Sequence, residues 1–149
     1  MRFAYPLIKV RKSVHSLGGR WVRPRPLVLV TLVGPKDVHV QAALLDTGSD
    51  DTVFPVWVAH KLGVDLTAVP SGEASGVGGT AAIVRYAELQ LRLTDGQEYR
   101  EWPAWIGFTT AQLNQPLLGF AGCLQFFDAQ FLGAREELEL TVNPLYPGT

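Results

Sequence analysis

The sequence predicts a mostly β domain, and three observations support this fold class. The 149 residues are 47% hydrophobic and 18% charged, a balance typical of chains that bury a core. Fifteen glycines and ten prolines separate short runs of Val, Leu and Ile, as expected for strands joined by tight turns. Several runs alternate apolar and polar residues with the period of a half-buried strand. A chain of this length suits one domain, and we expect residues 1–149 to form it.

The first clearly predicted elements form a β-hairpin. The apolar runs 27–33 and 38–45 flank residues 34–37, Gly-Pro-Lys-Asp, a sequence typical of a turn. A short helix is predicted further along, because Pro55 suits the first helical position and an apolar face continues from it as far as Gly63. The segment between hairpin and helix is therefore anchored on both sides.

A second hairpin and two more strands are predicted next. Residues 71–80 are too rich in glycine for a core element, and they indicate a mobile hairpin between two strands. Leucines alternate with polar residues over 88–93, which predicts a half-buried strand. The Asp-Gly pair at 95–96 then turns the chain into a further strand through Tyr99 and Trp102.

The last third of the chain contains three predicted elements. Residues 116–119 are typical of a buried strand end, and residues 120–127 predict one helical turn or two behind it. Apolar and polar residues alternate again over 137–142, which predicts a last strand. We find no internal repeat and no linker.

Basic side chains are concentrated near the start of the sequence. Residues 1–36 carry eight Lys or Arg and no acid, whereas the rest of the chain carries five basic and fourteen acidic side chains. These cations are dispersed among Val, Leu, Trp and Pro. We therefore interpret residues 1–25 as a basic N-terminal arm or strand with solvated charges, and we expect no nucleic-acid partner.

The sequence also bears on compartment and on cofactors. It has no run of about 18 apolar residues, so we expect no membrane span. The single Cys123 excludes an intrachain disulfide and is predicted to lie in the core, and no secretory segment is evident, so we expect a cytoplasmic protein. The three histidines lack the spacing of metal ligands, and we predict no metal and no cofactor.

One acid follows directly after a fully apolar strand. Asp46 directly follows the run Ala-Ala-Leu-Leu and begins the sequence Asp-Thr-Gly-Ser. A carboxylate in such a place is costly to desolvate unless backbone donors, a shared proton or a partner charge compensate it. Gly48 would let backbone N–H groups approach that carboxylate, and the Thr47 hydroxyl could fix the loop. Asp46 is therefore a candidate functional residue.

Three motifs, in this order, resemble the retropepsin-like aspartic proteases. Residues 46–49, Asp-Thr-Gly-Ser, resemble the catalytic signature of that family. The run Gly76, Val77, Gly78 and Gly79 resembles its glycine-rich flap tip. Leu117, Leu118 and Gly119 resemble its second hallmark, which ends a strand packed beside the catalytic loop. The resemblance covers about residues 26–142.

The resemblance implies a fold and a set of site residues. It implies a closed β-barrel of the acid-protease type, with a glycine-rich flap hairpin and one or two short helices. Asp46, Thr47 and Gly48 would form the catalytic loop. The residues implied along the substrate cleft are Ser49, Asp50, Asp51 and 76–79, with Leu117, Leu118 and Gly119 as structural support.

The resemblance also implies an activity that needs two copies of the chain. Aspartic proteolysis uses two carboxylates that share a proton, and this sequence contains one Asp-Thr-Gly. The second would come from an identical subunit across a two-fold axis. We therefore expect a homodimeric aspartic endopeptidase acting on peptides or unfolded proteins. The alternative is a non-catalytic dimer of the same fold that binds peptides or a partner protein.

The chain departs from the family pattern in two places. Ser49 stands where retroviral members usually carry Ala. After Gly119 many members place Arg followed by an acid or amide, whereas this chain has Phe120 and Ala121. The family's Arg-to-acid contact near the dimer interface is therefore absent, which favours some divergence in the dimer.

Overall fold

The computed structural model describes residues 1–75 and 79–149. Within these ranges the chain forms twelve β-strands and one α-helix. The strands that precede the helix are β1 (Arg2–Ala4), β2 (Leu7–Val14), β3 (Arg20–Pro24), β4 (Leu27–Val33), β5 (Val38–Leu45) and β6 (Val53–Pro55). The helix is α1 (Val56–Leu62). The strands that follow are β7 (Ser71–Ser75), β8 (Ala81–Thr94), β9 (Tyr99–Thr109), β10 (Leu117–Leu118), β11 (Phe127–Leu132) and β12 (Glu137–Val142). The predicted mostly β class is confirmed.

The largest sheet closes on itself. Its strands lie in the order β4-β5-β10-β6-β9-β8-β7, and β4 also pairs with β8, so six strands form a ring with β7 beside it. The short β10 is parallel to β5 and antiparallel to β6. It therefore fills the gap between the strand that ends before Asp46 and the strand that follows the loop.

The core lies inside this ring. Its fully buried members include Trp102, Phe54, Phe108, Leu32, Leu62, Leu91, Leu93 and Ile106. The predicted alternation over 88–93 is confirmed, since the leucines at 89, 91 and 93 are buried while their neighbours are more exposed. Burial of these large apolar side chains is the main source of stability of the ring.

The β4–β5 hairpin has the predicted boundaries, and the helix differs by one residue. Pro55 caps α1 and keeps an extended backbone, with φ −63° and ψ 145°, because it still pairs with Thr109 in the sheet. The helix therefore begins at Val56. It ends at Gly63, whose φ of 74° is favourable only for glycine, as the sequence predicts.

The basic N-terminal segment is more structured than a simple arm. β1 pairs with β12, and β12 pairs with β11. β2 and β3 form a hairpin of their own, whose Arg20 is paired with Glu136 on the turn between β11 and β12. Most side chains of β2 are exposed, so its cations are solvated as expected.

Near the C-terminal end one segment agrees with the sequence-based expectation and another differs from it. Residues 120–127 contain one short 3-10 helix, Leu124–Phe126, which agrees with the smaller of the predicted alternatives. The strand β11 was not predicted. Its sequence, Phe-Asp-Ala-Gln-Phe-Leu, lacks strict alternation, and the strand is defined by its pairing with β12.

The two arms of the predicted glycine-rich hairpin are present as paired strands. β7 and β8 pair from Ser71 with Arg85 to Ser75 with Ala81. The tip predicted at Gly76, Val77 and Gly78 lies outside the described residues. Among the described residues, no helix has the length and apolar character needed to cross a membrane.

Candidate active site

Asp46 leaves the sheet where the end of β5 is hydrogen-bonded to β10 and to the residue before it. The Asp46 N–H donates to the Leu118 carbonyl oxygen at 3.1 Å, and the Leu44 N–H donates to the Pro116 carbonyl oxygen at 2.9 Å. Leu118 is fully buried, so this anchor belongs to the core. The two hallmark segments that the sequence analysis paired are therefore neighbours in space.

The loop after Asp46 directs one backbone donor at the Asp46 carboxylate. The Gly48 N–H donates to Asp46 Oδ1 at 2.9 Å. The Ser49 N–H donates to the Asp46 carbonyl oxygen at 3.1 Å, which closes the turn. A Cβ at position 48 would lie 3.2 Å from Asp46 Oδ1, so the glycine permits this close approach. In the single chain Asp46 is half-buried, while Thr47 and Gly48 are exposed.

Residues 119–121 fix the rest of the loop by main-chain hydrogen bonds. The Phe120 N–H donates to the Ser49 carbonyl oxygen at 2.9 Å, and the Ala121 N–H donates to the Asp50 carbonyl oxygen at 2.8 Å. The Thr52 N–H donates in turn to the Ala121 carbonyl oxygen at 3.0 Å. The segment thus supports the loop through its backbone, without the Arg that many family members carry after this glycine.

Of the two acids after the signature, Asp51 is the one held in place. Asp50 is exposed, whereas Asp51 is half-buried and forms a parallel β-bridge with Ala121. The Asp51 carbonyl oxygen accepts the Ser49 hydroxyl at 2.7 Å, and its Oδ2 accepts the Tyr86 hydroxyl at 2.8 Å. Burial, and then the adjacent Asp51, raises the pKa of Tyr86 to about 12.

A cleft of about 670 Å³ brings these residues together. The predicted residues that line it are Asp46, Gly48, Ser49, Asp50, Asp51 and Leu117. Residues that the sequence analysis missed line it as well: Val53, Glu73, Ala74, Ser75, Thr80, Ala82, Val84, Thr109, Gln112 and Leu113. They come from β6 to β9, from Thr80 and from the loop after β9. Glu73, Ala74, Ser75 and Thr80 fall within the predicted hairpin at 71–80, and no local sequence signal marks the others. Gly79 lies nearby in the chain with a φ of 74°.

The cleft is acidic. Four carboxylates line it, those of Asp46, Asp50, Asp51 and Glu73, and its described lining contains no Lys, Arg or His. A second cavity, of about 410 Å³, lies beside α1 and contains none of the predicted site residues. The acidic cleft is therefore the candidate active site.

Cys123 and His39 lie outside the cleft and are buried. Cys123 is fully buried, and this burial raises the pKa of its thiol to about 12. His39 packs edge-on against Trp57 and contacts Gln41. Among the described residues, no group of three or more His, Cys, Asp or Glu side chains is arranged to hold a metal ion.

A closed sheet, an Asp-Thr-Gly loop at the end of one of its strands and a supporting Leu-Leu-Gly segment are the features of an aspartic protease lobe. The profile of one family, described as Aspartyl protease, matches residues 28–121. The match spans more than half of the chain, so the protein belongs to the aspartyl protease family.

One solved structure supports the retropepsin-like fold in particular. The chain is similar to a retropepsin-like aspartic protease from Rickettsia conorii, with a TM-score of 0.52 and 18% identity. The similarity covers 91% of this chain and 98% of the other. No curated protein sequence matches the chain. The resemblance to retropepsin-like proteases is thus confirmed at the level of family and fold.

Proposed function

We propose that the protein is an aspartic endopeptidase that acts as a homodimer, with Asp46 of each chain at the centre of the cleft. The observation that carries this proposal is the position of the Asp46 carboxylate. It lines a cleft of about 670 Å³ on a loop that β10 and residues 119–121 hold by main-chain hydrogen bonds. Membership of the aspartyl protease family supports the same chemistry.

The reaction needs two carboxylates with opposite tasks. One takes a proton from water, whose oxygen attacks the peptide carbonyl carbon, while the other gives its proton to the carbonyl oxygen. Collapse of the tetrahedral intermediate then breaks the C–N bond as the nitrogen takes up a proton. Because this chain has one Asp-Thr-Gly, the second carboxylate comes from Asp46 of an identical chain.

The single chain is suited to such a pairing. Thr47 and Gly48 are exposed, and Asp46 is only half-buried, so the loop is accessible to a second copy. Two carboxylates in contact cannot both ionise easily, and the pair therefore shares one proton. We expect activity to be highest on the acidic side of neutrality and to be lost when that proton is removed.

The substrate is proposed to be an extended peptide or an unfolded segment of a protein. Ser75, Thr80 and Ala82 of the β7–β8 hairpin line the cleft together with the loop at 46–51. The hairpin of β7 and β8 would act as a flap that closes over the bound chain and donates backbone hydrogen bonds to it.

The test is cleavage of a diverse mixture of unfolded peptides from about pH 3 to about pH 7, combined with a measurement of mass in solution. Asp46→Asn keeps the shape of the side chain but cannot supply the ionised partner, so we expect a folded dimer without activity. Asp128→Asn is the matched control, since Asp128 is exposed on β11, and we expect it to retain activity. A strictly monomeric protein that still cuts would contradict the mechanism.

The second candidate function is a non-catalytic dimer that binds peptides. The observation that favours it is Phe120, which is 61% exposed where many family members have Arg. This candidate predicts a folded dimer that binds peptides from the same mixture and cuts none of them at any pH. The cleavage experiment therefore separates the two functions.

A further inference from the structure

Apart from Asp46, the acid of the cleft with a fixed position is Asp51, which is held at both its backbone and its side chain. Its carbonyl oxygen accepts the Ser49 hydroxyl, its backbone bridges to Ala121, and its Oδ2 accepts the Tyr86 hydroxyl. The hydrogen bond from Tyr86 uses one carboxylate oxygen and leaves Oδ1 for a ligand. Asp51 therefore presents a negative charge at a defined place in the cleft.

The Tyr86 ring fits its site because two glycines surround it. Gly107 pairs with Tyr86 across β8 and β9, and a Cβ there would lie 3.3 Å from the ring at Cε1. A Cβ on Gly72 of β7 would lie 3.2 Å from the other side of the ring, at Cε2. Both contacts are tight for real side chains. The sheet thus holds the ring in one orientation, with the hydroxyl at Asp51.

The Tyr86 hydroxyl remains a donor throughout the pH range of interest. Burial and the neighbouring carboxylate hold its pKa far above neutrality, so the phenol stays protonated. A neutral donor stabilises the Asp51 carboxylate without cancelling its charge. By contrast, an arginine in this place would have neutralised the acid and removed its attraction for a cationic ligand.

We propose that Tyr86 is a positioning residue that holds Asp51 as a specificity determinant, and that the cleft prefers peptides with a Lys or Arg side chain close to the bond that is cut. This inference rests on the proposed function, because it assigns the substrate class of the same cleft. The cleft has four carboxylates and no described cation to balance them, so a cationic side chain of the substrate would satisfy this charge.

A purely structural role for the Tyr86–Asp51 contact makes a different prediction. If the hydrogen bond only tied β8 to the loop, loss of the hydroxyl would lower stability and would reduce cleavage of all peptides equally. If the contact positions a specificity determinant, loss of the hydroxyl changes the ratio between cationic and neutral substrates. The ratio is therefore the quantity to measure.

The experiment compares short peptides that are identical except that Lys replaces Met at one position at a time around the cut bond. We expect wild type to cleave the best Lys peptide with a kcat/KM about three- to tenfold above its Met counterpart, and to lose this preference at high salt. Tyr86→Phe should reduce the ratio at least by half, and Asp51→Asn should reduce it further than Tyr86→Phe does.

The matched control is Tyr99→Phe. Tyr99 also donates its hydroxyl to a carboxylate, that of Glu101, but it lies outside the cleft on β9. We expect Tyr99→Phe to leave the ratio at the wild-type value. Equal cleavage of Lys and Met peptides by the wild type would overturn the proposal, as would a preference that Tyr86→Phe leaves intact.

Binding to Asp46→Asn separates this inference from the proposed function. The change removes the charge at position 46 and leaves Asp50, Asp51 and Glu73 in the cleft. We expect this variant to bind a fluorescent Lys peptide more tightly than its Met counterpart, and we expect Tyr86→Phe, added to it, to reduce the ratio of the two affinities at least by half. If no peptide is cut but this difference is found, the endopeptidase proposal fails and the specificity inference stands. If peptides are cut but the difference is absent, the inference fails alone.

Discussion

Gly119 packs so tightly against Asp51 that a Cβ at position 119 would lie 2.2 Å from the Asp51 carbonyl oxygen. The same Cβ would lie 2.7 Å from the Ser49 carbonyl oxygen. These are backbone atoms, which cannot rotate away as a flexible side chain can. The contact therefore explains why the Leu-Leu-Gly segment ends in glycine: only a residue without a Cβ brings this backbone against the loop that follows Asp46.

We predict that Gly119→Ala displaces the loop at 46–51 and lowers the free energy of unfolding by more than about 3 kcal/mol, because the clash is with fixed backbone. Gly133→Ala is the control, since no atom lies within 4 Å of its Cβ position, and its effect should stay within about 0.5 kcal/mol. Urea denaturation at one protein concentration measures both. Equal stability of the two variants would contradict the packing.

A buried hydroxyl predicts a stabilising substitution. Thr52 is fully buried, and its Oγ1 has no hydrogen-bond partner among the described residues. Thr52→Val keeps the shape and removes the uncompensated polar group, so we expect the free energy of unfolding to rise by about 1 kcal/mol.

Thr109→Val is the matched control for that substitution. Thr109 is also buried, but its hydroxyl accepts the Ala111 N–H at 3.1 Å. We expect this variant to lose about 1 kcal/mol, because the Ala111 N–H loses its partner. Chemical denaturation of the two variants should thus give changes of opposite sign. Destabilisation by both would show that the Thr52 hydroxyl has a partner.

Asp95 should contribute a pH-dependent term to stability. The N–H groups of Glu98, Arg2 and Gln97 donate to its carboxylate and lower its pKa to about 2. In the unfolded chain this pKa returns to about 3.9. The folded state therefore gains stability from Asp95 above about pH 4, and the gain is lost as the pH falls through about 2.

We predict that Asp95→Asn lowers the free energy of unfolding by about 1 kcal/mol at neutral pH, a figure reduced for solvent screening because the side chain is only partly buried. The difference from wild type should shrink towards zero at about pH 2. Asp128→Asn, on an exposed carboxylate of β11, should show no such trend. A deficit of Asp95→Asn that is constant with pH would contradict this account.

The reactivity of Cys123 should report on global unfolding. The thiol is fully buried and its pKa is raised to about 12. In the folded state a reagent therefore cannot reach the sulfur, and the reactive thiolate is not formed near neutral pH. We expect the native protein to resist a thiol-specific reagent and the unfolded protein to react at once. Rapid labelling of the native protein would mean that the core opens locally around residue 123.

The parts of the fold that were predicted correctly are those defined by local patterns. The β4–β5 hairpin, the end of α1 at Gly63 and the buried leucines of β8 all follow from turn residues and from alternation within a few positions. β11 was missed, because its pairing with β12 defines it and its own sequence is irregular. The hairpin of β2 and β3 was foreseen only as a basic arm or strand.

The central residues of the candidate site could be predicted from the sequence, whereas the residues around them could not. Asp46 and the Leu-Leu-Gly segment carry recognisable motifs, and the structure places them side by side. Tyr86 carries no motif, and it reaches Asp51 across 35 positions of sequence. Its site depends on Gly72 and Gly107, whose roles appear only when three strands are aligned. The pairing of two chains through Asp46 stays a prediction.

The closure of the six-stranded ring also limits the order in which the parts of the fold can form. β4 pairs with β8, and β10 inserts between β5 and β6 from far along the chain. Such long-range pairings form slowly, because a large loop must close before they are made. A chain emerging from the ribosome therefore carries Asp46 before the Leu118 carbonyl that anchors it has been made, and the loop at 46–51 can be fixed in place only after residues 118–121 have emerged.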